Sequence, residues 1–215
     1  MPRTFDCADP VAQAQGLTAA GQAITGGGLV VLPTDTVYGV GADAFSVSAV
    51  SALLKAKGRG RDMPVPVLIG TQRTLDGIAT RLSQQTRDLV EAFWPGALTV
   101  ICHQQPTLAW DLGDARGTVA IRMPLHPVAL ELLKATGPLA VSSANISGRA
   151  PAATAEEALA QLGDSVEVYL DGGEAGEPIP STIIDVTGEH PRVVRLGAID
   201  LDELRSVVVD LESGE

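Results

Sequence analysis

Short runs of apolar residues alternate along this chain with longer segments in which apolar positions recur at helical spacing. Runs rich in Val, Ile and Leu between turn residues predict buried strands. Longer periodic segments opened by Asp, Ser, Thr or Pro predict helices. The predicted strands are residues 29–32, 65–69, 98–102, 118–123, 138–141, 166–170, 182–186 and 192–196. The predicted helices are residues 10–25, 46–56, 83–93, 127–135, 154–162 and 201–208.

The predicted strands and helices alternate, but they do not form strict strand–helix–strand units. This order predicts an α/β fold with one mixed sheet and helices packed against it. Pro66 lies inside the strand at 65–69, and we expect it at a sheet edge or bulge because proline cannot donate to a ladder. Clusters of turn residues follow apolar strands at 34–41, 142–151 and 173–181. Since ligands of open α/β sheets bind where strands end, these clusters are candidate ligand loops.

The composition agrees with one buried core. The chain has 215 residues, of which 45% are apolar and only 3% aromatic, so aliphatic side chains must build most of the interior. Strands covered by helices on both faces need this kind of composition. We expect a single domain over residues 1–209 and a frayed polar tail over residues 210–215.

The net charge and the two cysteines argue against several classes of function. A net charge of −11 repels phosphate backbones and argues against a simple RNA-binding module. Cys7 and Cys102 lack the spacing of a zinc site, and we expect both thiols to be reduced. Charges at Arg3, Asp6 and Asp9 and the absence of a long apolar run predict neither a signal peptide nor a membrane segment. We therefore expect a cytoplasmic protein.

Four cations cluster near the predicted end of the second helix. Lys55, Lys57, Arg59 and Arg61 fall within seven residues of an otherwise acidic chain. Cations at a helix C-terminus stabilise the helix dipole, which is one explanation of the cluster. Because four like charges repel one another unless an anion neutralises them, we favour a site for phosphate groups, which arginine contacts at two points.

Polar side chains also follow two buried strands. Thr34, Asp35 and Thr36 can orient a small ligand, but such residues often cap their own turn, and this segment alone favours the capped turn. Ser143 and Asn145 are two residues apart and would point the same way in an extended chain, where they could hold phosphate or ribose oxygens.

Two arginines stand alone in apolar strands. Arg122 and Arg195 each fit either a structural salt bridge or a ligand contact, since a charge in a strand is rarely buried without a partner. The residues themselves leave this choice open.

Seven segments follow one another in a characteristic order over roughly residues 17–199. They are LPTDTVYGVGADA, KGR, PGALTV, TVAIRMP, SSANISG, STIIDV and VVRLGAI. Each is a weak signal alone, whereas the order is specific. The sequence resembles the YrdC-like threonylcarbamoyl-adenylate synthases in their short, single-domain form. The resemblance implies a twisted mixed β-sheet flanked by helices, with a concave basic substrate cleft.

The resemblance also implies an activity. Such enzymes make threonylcarbamoyl-AMP and pyrophosphate from L-threonine, bicarbonate or CO₂, and ATP, which makes them nucleotidyltransferases. The product feeds the threonylcarbamoyladenosine modification of tRNAs that read ANN codons. We expect Mg²⁺ to be carried by ATP rather than by protein side chains. A separate downstream transferase complex is the expected partner, and direct tRNA binding is expected to be weak or absent.

Site residues follow from the matching motifs. The resemblance implies a catalytic nucleotide site formed by Lys57, Arg59, Ser143 and Asn145. Further ATP contacts are expected at Thr118, Pro151 and Arg195. Threonine is expected to contact Thr36, Arg122, Ser181 and the backbone of Val141. Arg122 would clamp the threonine carboxylate, and Asp35 is a candidate general base only through its place beside Thr36.

The chain departs from the family pattern in one stretch. Gly60 stands where the family often has Pro, Met63 where it often has Asn, and Leu68 where a His commonly lies near the threonine. These departures leave the reaction class unchanged and concern one wall of the site.

Two other functions remain open from the sequence. One is a module that binds double-stranded RNA or tRNA through a basic concave surface, which the charge of −11 disfavours. The other is an enzyme of the same fold that transfers carbamoyl groups through carbamoyl-adenylate. Those enzymes carry zinc-finger or acylphosphatase-like segments, and this sequence has neither.

Overall fold

A computed structural model describes residues 1–175 and 179–213. The helices are α1 (Pro10–Thr25), α2 (Val47–Lys57), α3 (Thr74–Ile78), α4 (Gln84–Phe93), α5 (Pro127–Thr136), α6 (Ala155–Leu162) and α7 (Leu201–Val207). The strands are β1 (Arg3–Asp6), β2 (Val30–Leu32), β3 (Gly39–Asp43), β4 (Val67–Leu68), β5 (Ala79–Thr80), β6 (Leu98–Gln104), β7 (Thr118–Arg122), β8 (Leu139–Ser143), β9 (Val168–Asp171), β10 (Thr182–Asp185) and β11 (Arg192–Arg195). Within these residues, no helix combines the length and the apolar character that crossing a membrane requires.

The eleven strands of the described residues form one mixed sheet, as the sequence predicts. The order across the sheet is β1-β9-β2-β3-β8-β4-β7-β6-β10-β11, with β5 paired to β6. The sheet contains parallel pairs, such as β4 with β7 and β6 with β10, as well as antiparallel pairs, such as β3 with β8 and β6 with β7. The order brings distant segments together, because β8 lies between β3 and β4.

Helices cover both faces of this sheet. Val30 and Leu32 join one apolar cluster with α1 and α5, whereas Val31 between them joins a second cluster with α2, α4, α6 and α7. Since successive side chains of a strand point to opposite faces, the two clusters are the two sides of one sheet. Because helices bury both faces of the sheet, its strands need many aliphatic side chains, which explains the composition.

Local capping signals determine where the first two helices lie. α1 has the predicted bounds, with the Asp9 side chain accepting from the Val11 amide and Pro10 in the first turn. Ser46 caps α2, which ends at Gly58 in the left-handed conformation, with a φ of 60°. The helix therefore runs one residue past its predicted end and includes Lys57.

β3 was not predicted, because its glycines resemble a turn. Gly39 and Gly41 pair with Ser143 and Val141 of β8. A Cβ atom on Gly39 would lie 2.6 Å from Cγ1 of Val141. Only glycine lets the Val141 side chain lie this close to the backbone of β3, so the glycines here serve packing within a strand.

The structure corrects the expected place of Pro66. β4 lies in the interior of the sheet, between β8 and β7, rather than at an edge. Pro66 precedes the first residue of this short strand, where its missing N–H is not needed, and its carbonyl accepts from the Val141 amide at 2.9 Å.

The structure also corrects the expectation of a frayed tail for two residues. Leu211 is buried against the larger apolar cluster. Glu212 pairs with the β11 edge, since its carbonyl accepts from the Val193 amide and its amide donates to the Pro191 carbonyl, both at 2.9 Å. The rest of that prediction includes residues 214–215, which lie outside the described residues.

Candidate functional site

A cavity of about 630 Å³ opens on the sheet where the predicted motifs converge. Its volume is in the range of sites that hold a cofactor-sized ligand. All but two of the residues predicted to bind threonine or ATP line it, namely Thr36, Arg59, Thr118, Arg122, Val141, Ser143, Pro151, Ser181 and Arg195. The cavity thus brings together the residues expected for threonine and those expected for ATP.

Arg122 lies at the end of β7 and is only 7% exposed. Its Nε donates to the Gly96 carbonyl at 2.9 Å, its Nη1 to the Thr36 hydroxyl at 2.8 Å, and its Nη2 to Asp35 at 2.5 Å. Burial lowers the pKa of Arg122, and the Asp35 carboxylate acts in the opposite direction. A guanidinium has five N–H groups, so two remain for a ligand. The salt bridge and a ligand contact are therefore compatible.

The turn before β3 combines a capped turn with a ligand-facing hydroxyl. The Thr34 hydroxyl accepts from the amides of Thr36 and Val37 and donates to the Val37 carbonyl at 2.6 Å. Thr36 is 3% exposed, lines the cavity and receives the hydrogen bond from Arg122.

Asp35 is engaged in structural contacts. Its Oδ1 accepts both from Arg122 and from the Leu125 amide at 2.9 Å. Among the described residues that line the cavity, Asp35 is not present. These contacts do not support the suggestion that Asp35 acts as the general base.

The four cations near the end of α2, which are Lys55, Lys57, Arg59 and Arg61, lie in different environments. Arg59 lines the cavity, where its guanidinium donates to the Met63 and Pro64 carbonyls and to the Ser142 hydroxyl. Burial lowers the pKa of Arg59. Arg61 instead pairs with Asp111 at 2.6 Å on the surface. One arginine of the cluster is thus available to an anion in the cavity.

Lys57 and Asn145 are the two residues predicted to bind ATP that do not line the cavity. Lys57 is 2% exposed and Asn145 is 6% exposed. The Lys57 ammonium donates to the Ser143 carbonyl and to both the carbonyl and the side chain of Asn145. The Asn145 amide donates to the Ser143 carbonyl at 2.9 Å, so the chain turns after Ser143 instead of staying extended. The structure thus corrects the expected common orientation of Ser143 and Asn145.

A third group of polar residues comes from β6, from the residue directly before β10, and from β11. The hydroxyls of Thr99 and Ser181 are 2.8 Å apart and buried. Arg195 donates to the Ser181 carbonyl at 2.7 Å through Nη2 and at 3.2 Å through Nε. Burial lowers the pKa of Arg195.

Sequence reasoning missed Thr99 as a member of the site. Thr99 lines the cavity, and a polar residue inside the apolar run 98–102 was the signal that could have identified it. The Thr118 hydroxyl, in contrast, was predicted and lies in the cavity wall, donating to the Ala115 carbonyl at 2.7 Å.

Leu68 makes part of the cavity wall apolar. Its Cα is the register partner of Arg122 in the parallel pair of β4 and β7. It is 6% exposed and lines the cavity. Leu68 therefore offers no hydrogen bond at the position where the family commonly has a histidine. Met63, the other departure in this stretch, has an exposed side chain.

Sequence comparison identifies related proteins over most of the chain. The family model Sua5_yciO_yrdC, described as "Telomere recombination", matches residues 22–197. A Mycobacterium tuberculosis protein, named as a candidate threonylcarbamoyl-AMP synthase, is 57% identical over 208 residues, which cover 97% of this chain and 96% of that protein. The threonylcarbamoyl-AMP synthase of Bacillus subtilis is 36% identical over 182 residues, covering 84% of this chain and 53% of its own length.

Comparison with solved structures finds the same family as the sequence comparison. The crystal structure of Pyrococcus abyssi Sua5 complexed with L-threonine superposes with a TM-score of 0.92 at 31% identity, and the match covers 100% of this chain and 62% of that chain. The chain therefore spans about as much as its mycobacterial relative and less than two thirds of the archaeal one. Together, the family match and the mycobacterial relative establish that this chain belongs to the Sua5/YciO/YrdC family.

Proposed function

We propose that this protein is a threonylcarbamoyl-AMP synthase, which joins L-threonine, bicarbonate or CO₂, and ATP and releases pyrophosphate. One observation carries the proposal: the residues predicted for threonine and most of those predicted for ATP line the same cavity. The Pyrococcus abyssi Sua5 structure complexed with L-threonine, which has the same fold, supports it.

The threonine end of the cavity lies around Arg122. Its two free N–H groups suit the threonine carboxylate, which a guanidinium binds at two points. The Thr36 and Ser181 hydroxyls line the same cavity and can contact the hydroxyl and amine of threonine. Val141 also lines the cavity. In this proposal the amine of threonine faces the nucleotide.

The ATP end uses Arg59, Ser143, Thr118, Pro151 and Arg195. In the reaction, the threonine amine bonds through its nitrogen to the carbon of CO₂ and releases a proton to solvent, which leaves a carbamate anion; when bicarbonate is the carbon source, water leaves instead. A carbamate oxygen then bonds to the α-phosphorus of ATP, and the bond to the bridging oxygen breaks as pyrophosphate leaves. Transfer of this kind depends on positioning and on charge stabilisation, which arginines supply. No activated side-chain nucleophile is needed.

Mg²⁺ enters with the nucleotide in this proposal. Among the described residues, those that line the cavity include no carboxylate. Bound there, the metal would neutralise phosphate charge. The product would pass to a separate transferase complex in the cytoplasm, for modification of tRNA.

A pyrophosphate-release assay tests the proposal. Purified protein with ATP, Mg²⁺, bicarbonate and L-threonine should release pyrophosphate, and omission of threonine or of bicarbonate should abolish the release. Mass spectrometry should find the adenylate of threonine carbamate in equal amount. Folded protein that releases no more pyrophosphate with threonine than without it would refute the activity. Micromolar binding of tRNA without ATP, at physiological salt, would instead favour an RNA-binding module.

A further inference from the structure

Lys57 occupies a buried position behind the cavity wall. It is the last residue of α2, directly before the left-handed Gly58, and its exposure is 2%. A lysine is almost never this buried unless its charge is paired or hydrogen-bonded. The partners of its ammonium group therefore indicate what the residue does.

Three oxygens surround the Lys57 ammonium. They are the carbonyl of Ser143, the carbonyl of Asn145 at 2.7 Å and the side-chain oxygen of Asn145 at 3.2 Å. An ammonium group has three N–H donors, so these contacts use all of them. The Lys57 carbonyl also accepts from the Ser147 amide at 2.8 Å. Both ends of Lys57 are thus bound to the loop that follows β8.

Asn145 completes the same network. Its side-chain nitrogen donates to the Ile146 carbonyl at 3.1 Å and to the Arg149 carbonyl at 2.7 Å. Both amide hydrogens are therefore used within the loop, and the amide oxygen receives Lys57. Neither side chain retains an N–H donor for a phosphate group.

The loop that these contacts hold forms part of the cavity wall. Ser143 lies at its beginning and Pro151 just beyond its end, and both line the cavity. Ser142, one residue earlier, receives the Arg59 guanidinium at 3.0 Å. A displacement of the loop would therefore move a hydroxyl, a proline and an arginine of the proposed ATP site together.

We propose that Lys57 and Asn145 are positioning residues that lock the loop 143–149 and so align the nucleotide end of the cavity, without contacting a phosphate. This inference rests on the proposed function only in naming ATP as the ligand. The lock itself is a property of the free protein.

The ammonium form of Lys57 matches the three acceptors of the lock. A neutral amine has only two N–H donors for three acceptors, so deprotonation leaves one loop oxygen unsatisfied. Burial and the neighbouring charge of Arg59 lower the pKa of Lys57 to about 8. Within the described residues, Arg59 is the charged side chain that acts on Lys57. Opening of the loop would return Lys57 to water, where its ordinary pKa is 10.5, so opening takes up a proton above about pH 8 and should become less favourable as the pH rises.

Hydrogen exchange in the ligand-free protein tests the lock, with Lys57→Met as the variant. Methionine keeps the apolar stem and removes the donors. Amides of residues 143–149 should exchange about tenfold faster or more, the factor expected from the loss of one charge-assisted hydrogen bond. Lys55→Met is the matched control, because Lys55 is exposed in the same helix turn and should leave exchange unchanged. Unchanged exchange of this loop in Lys57→Met would overturn the proposal.

Nucleotide binding separates a lock from a phosphate contact. If Lys57 positions the loop, Lys57→Met should weaken the binding of AMP, ADP and ATP by a similar factor. A loss that grows with each added phosphate would mean direct contact and would overturn the proposal. Both readouts are independent of turnover, so a failed pyrophosphate assay would leave them interpretable.

The wild-type protein supplies a test that requires no variant. After correction for intrinsic exchange rates, protection of residues 143–149 should rise as the pH increases above about 8, while the protection of α1 amides stays constant. Constant protection of the loop between neutral and alkaline pH would contradict the inference, even if Lys57→Met fails to fold.

Discussion

Arg122 and Asp35 form a buried ion pair that joins the end of β7 to the turn between β2 and β3, with Nη2 and Oδ1 2.5 Å apart. The same carboxylate oxygen accepts from the Leu125 amide. Arg122 is therefore held from one side by Asp35 and from another by the Gly96 carbonyl. A guanidinium fixed in this way can present its remaining N–H groups in one direction, which suits recognition of a carboxylate.

Replacement of Arg122 by Lys should affect threonine far more than ATP. Lysine keeps the charge but loses the planar fork. We expect the KM for threonine to rise about tenfold or more, as the loss of one charge-assisted hydrogen bond predicts, with the KM for ATP changed less than about threefold. Arg192→Lys is the matched control, because Arg192 lies exposed on β11 beside Asp185. Equal losses for the two substrates would show that Arg122 does not clamp threonine.

Removal of the Asp35 carboxylate should destabilise the fold. Breaking a buried pair leaves an uncompensated charge, and such losses are about 3–5 kcal/mol. We expect Asp35→Ala to lower the free energy of unfolding by about 3 kcal/mol in urea denaturation, and Asp35→Asn to cost less because its amide oxygen still accepts. The double variant with Arg122→Met should regain part of the loss. If Asp35→Ala lowers the free energy of unfolding by less than about 1 kcal/mol, the pair stabilises the fold no more than an exposed ion pair does.

Thr99 should influence threonine binding through Ser181. Thr99→Val keeps the shape and removes the hydroxyl that lies 2.8 Å from the Ser181 hydroxyl. Loss of one neutral hydrogen bond costs about 1 kcal/mol, so the KM for threonine should rise about fivefold. Thr99→Ser should restore the wild-type value. If valine and serine variants behave alike, the hydroxyl pair has no part in recognition.

Lys57 should also affect stability in alkaline solution. Its pKa in the folded protein is about 8, lowered from the ordinary 10.5 by burial and by Arg59. Between these pH values the unfolded chain binds the proton and the folded chain does not, so this group makes the free energy of unfolding rise with pH. The rise should be seen in the wild type and in Lys55→Met, and it should be missing in Lys57→Met. Parallel pH curves for wild type and Lys57→Met would contradict the lowered pKa.

The close approach of Val141 to β3 predicts the effect of a single methyl group. Gly39→Ala would place a carbon 2.6 Å from Cγ1 of Val141, and such overpacking costs about 1–3 kcal/mol. Gly77→Ala is the control, because no atom lies within 4 Å of the added carbon and alanine favours a helix. Chemical denaturation should show a loss for Gly39→Ala only. An unchanged stability would mean that Val141 can move aside.

Much of the fold follows from local signals in the sequence. Asp9 and Pro10 identify the start of α1, and Ser46 that of α2, because capping depends on neighbouring residues alone. β3 could not be predicted in the same way. Its glycines are explained by Val141, which is distant in sequence.

The candidate site was predictable in its members but not in their arrangement. The motifs identify Arg122, yet its ion pair with Asp35 depends on how β7 meets the β2–β3 turn. The pattern Lys-x-Arg likewise predicts the same role, contact with the nucleotide, for Lys57 and Arg59. In the structure one is enclosed by loop carbonyls and the other faces the cavity, because residues two apart at a helix end point in different directions.

The position of α1 has a consequence for where this protein can be divided. The family match begins at residue 22, within α1, yet Ala19 and Ala20 are already buried against the apolar cluster that includes α5. β1, earlier still, extends the sheet beside β9. We therefore expect that the segment matched by the family model does not fold on its own. A chain beginning at residue 22 would expose the apolar surface of α5 and one edge of β9 to solvent. We expect such a chain to aggregate, even though it contains every residue of the proposed site.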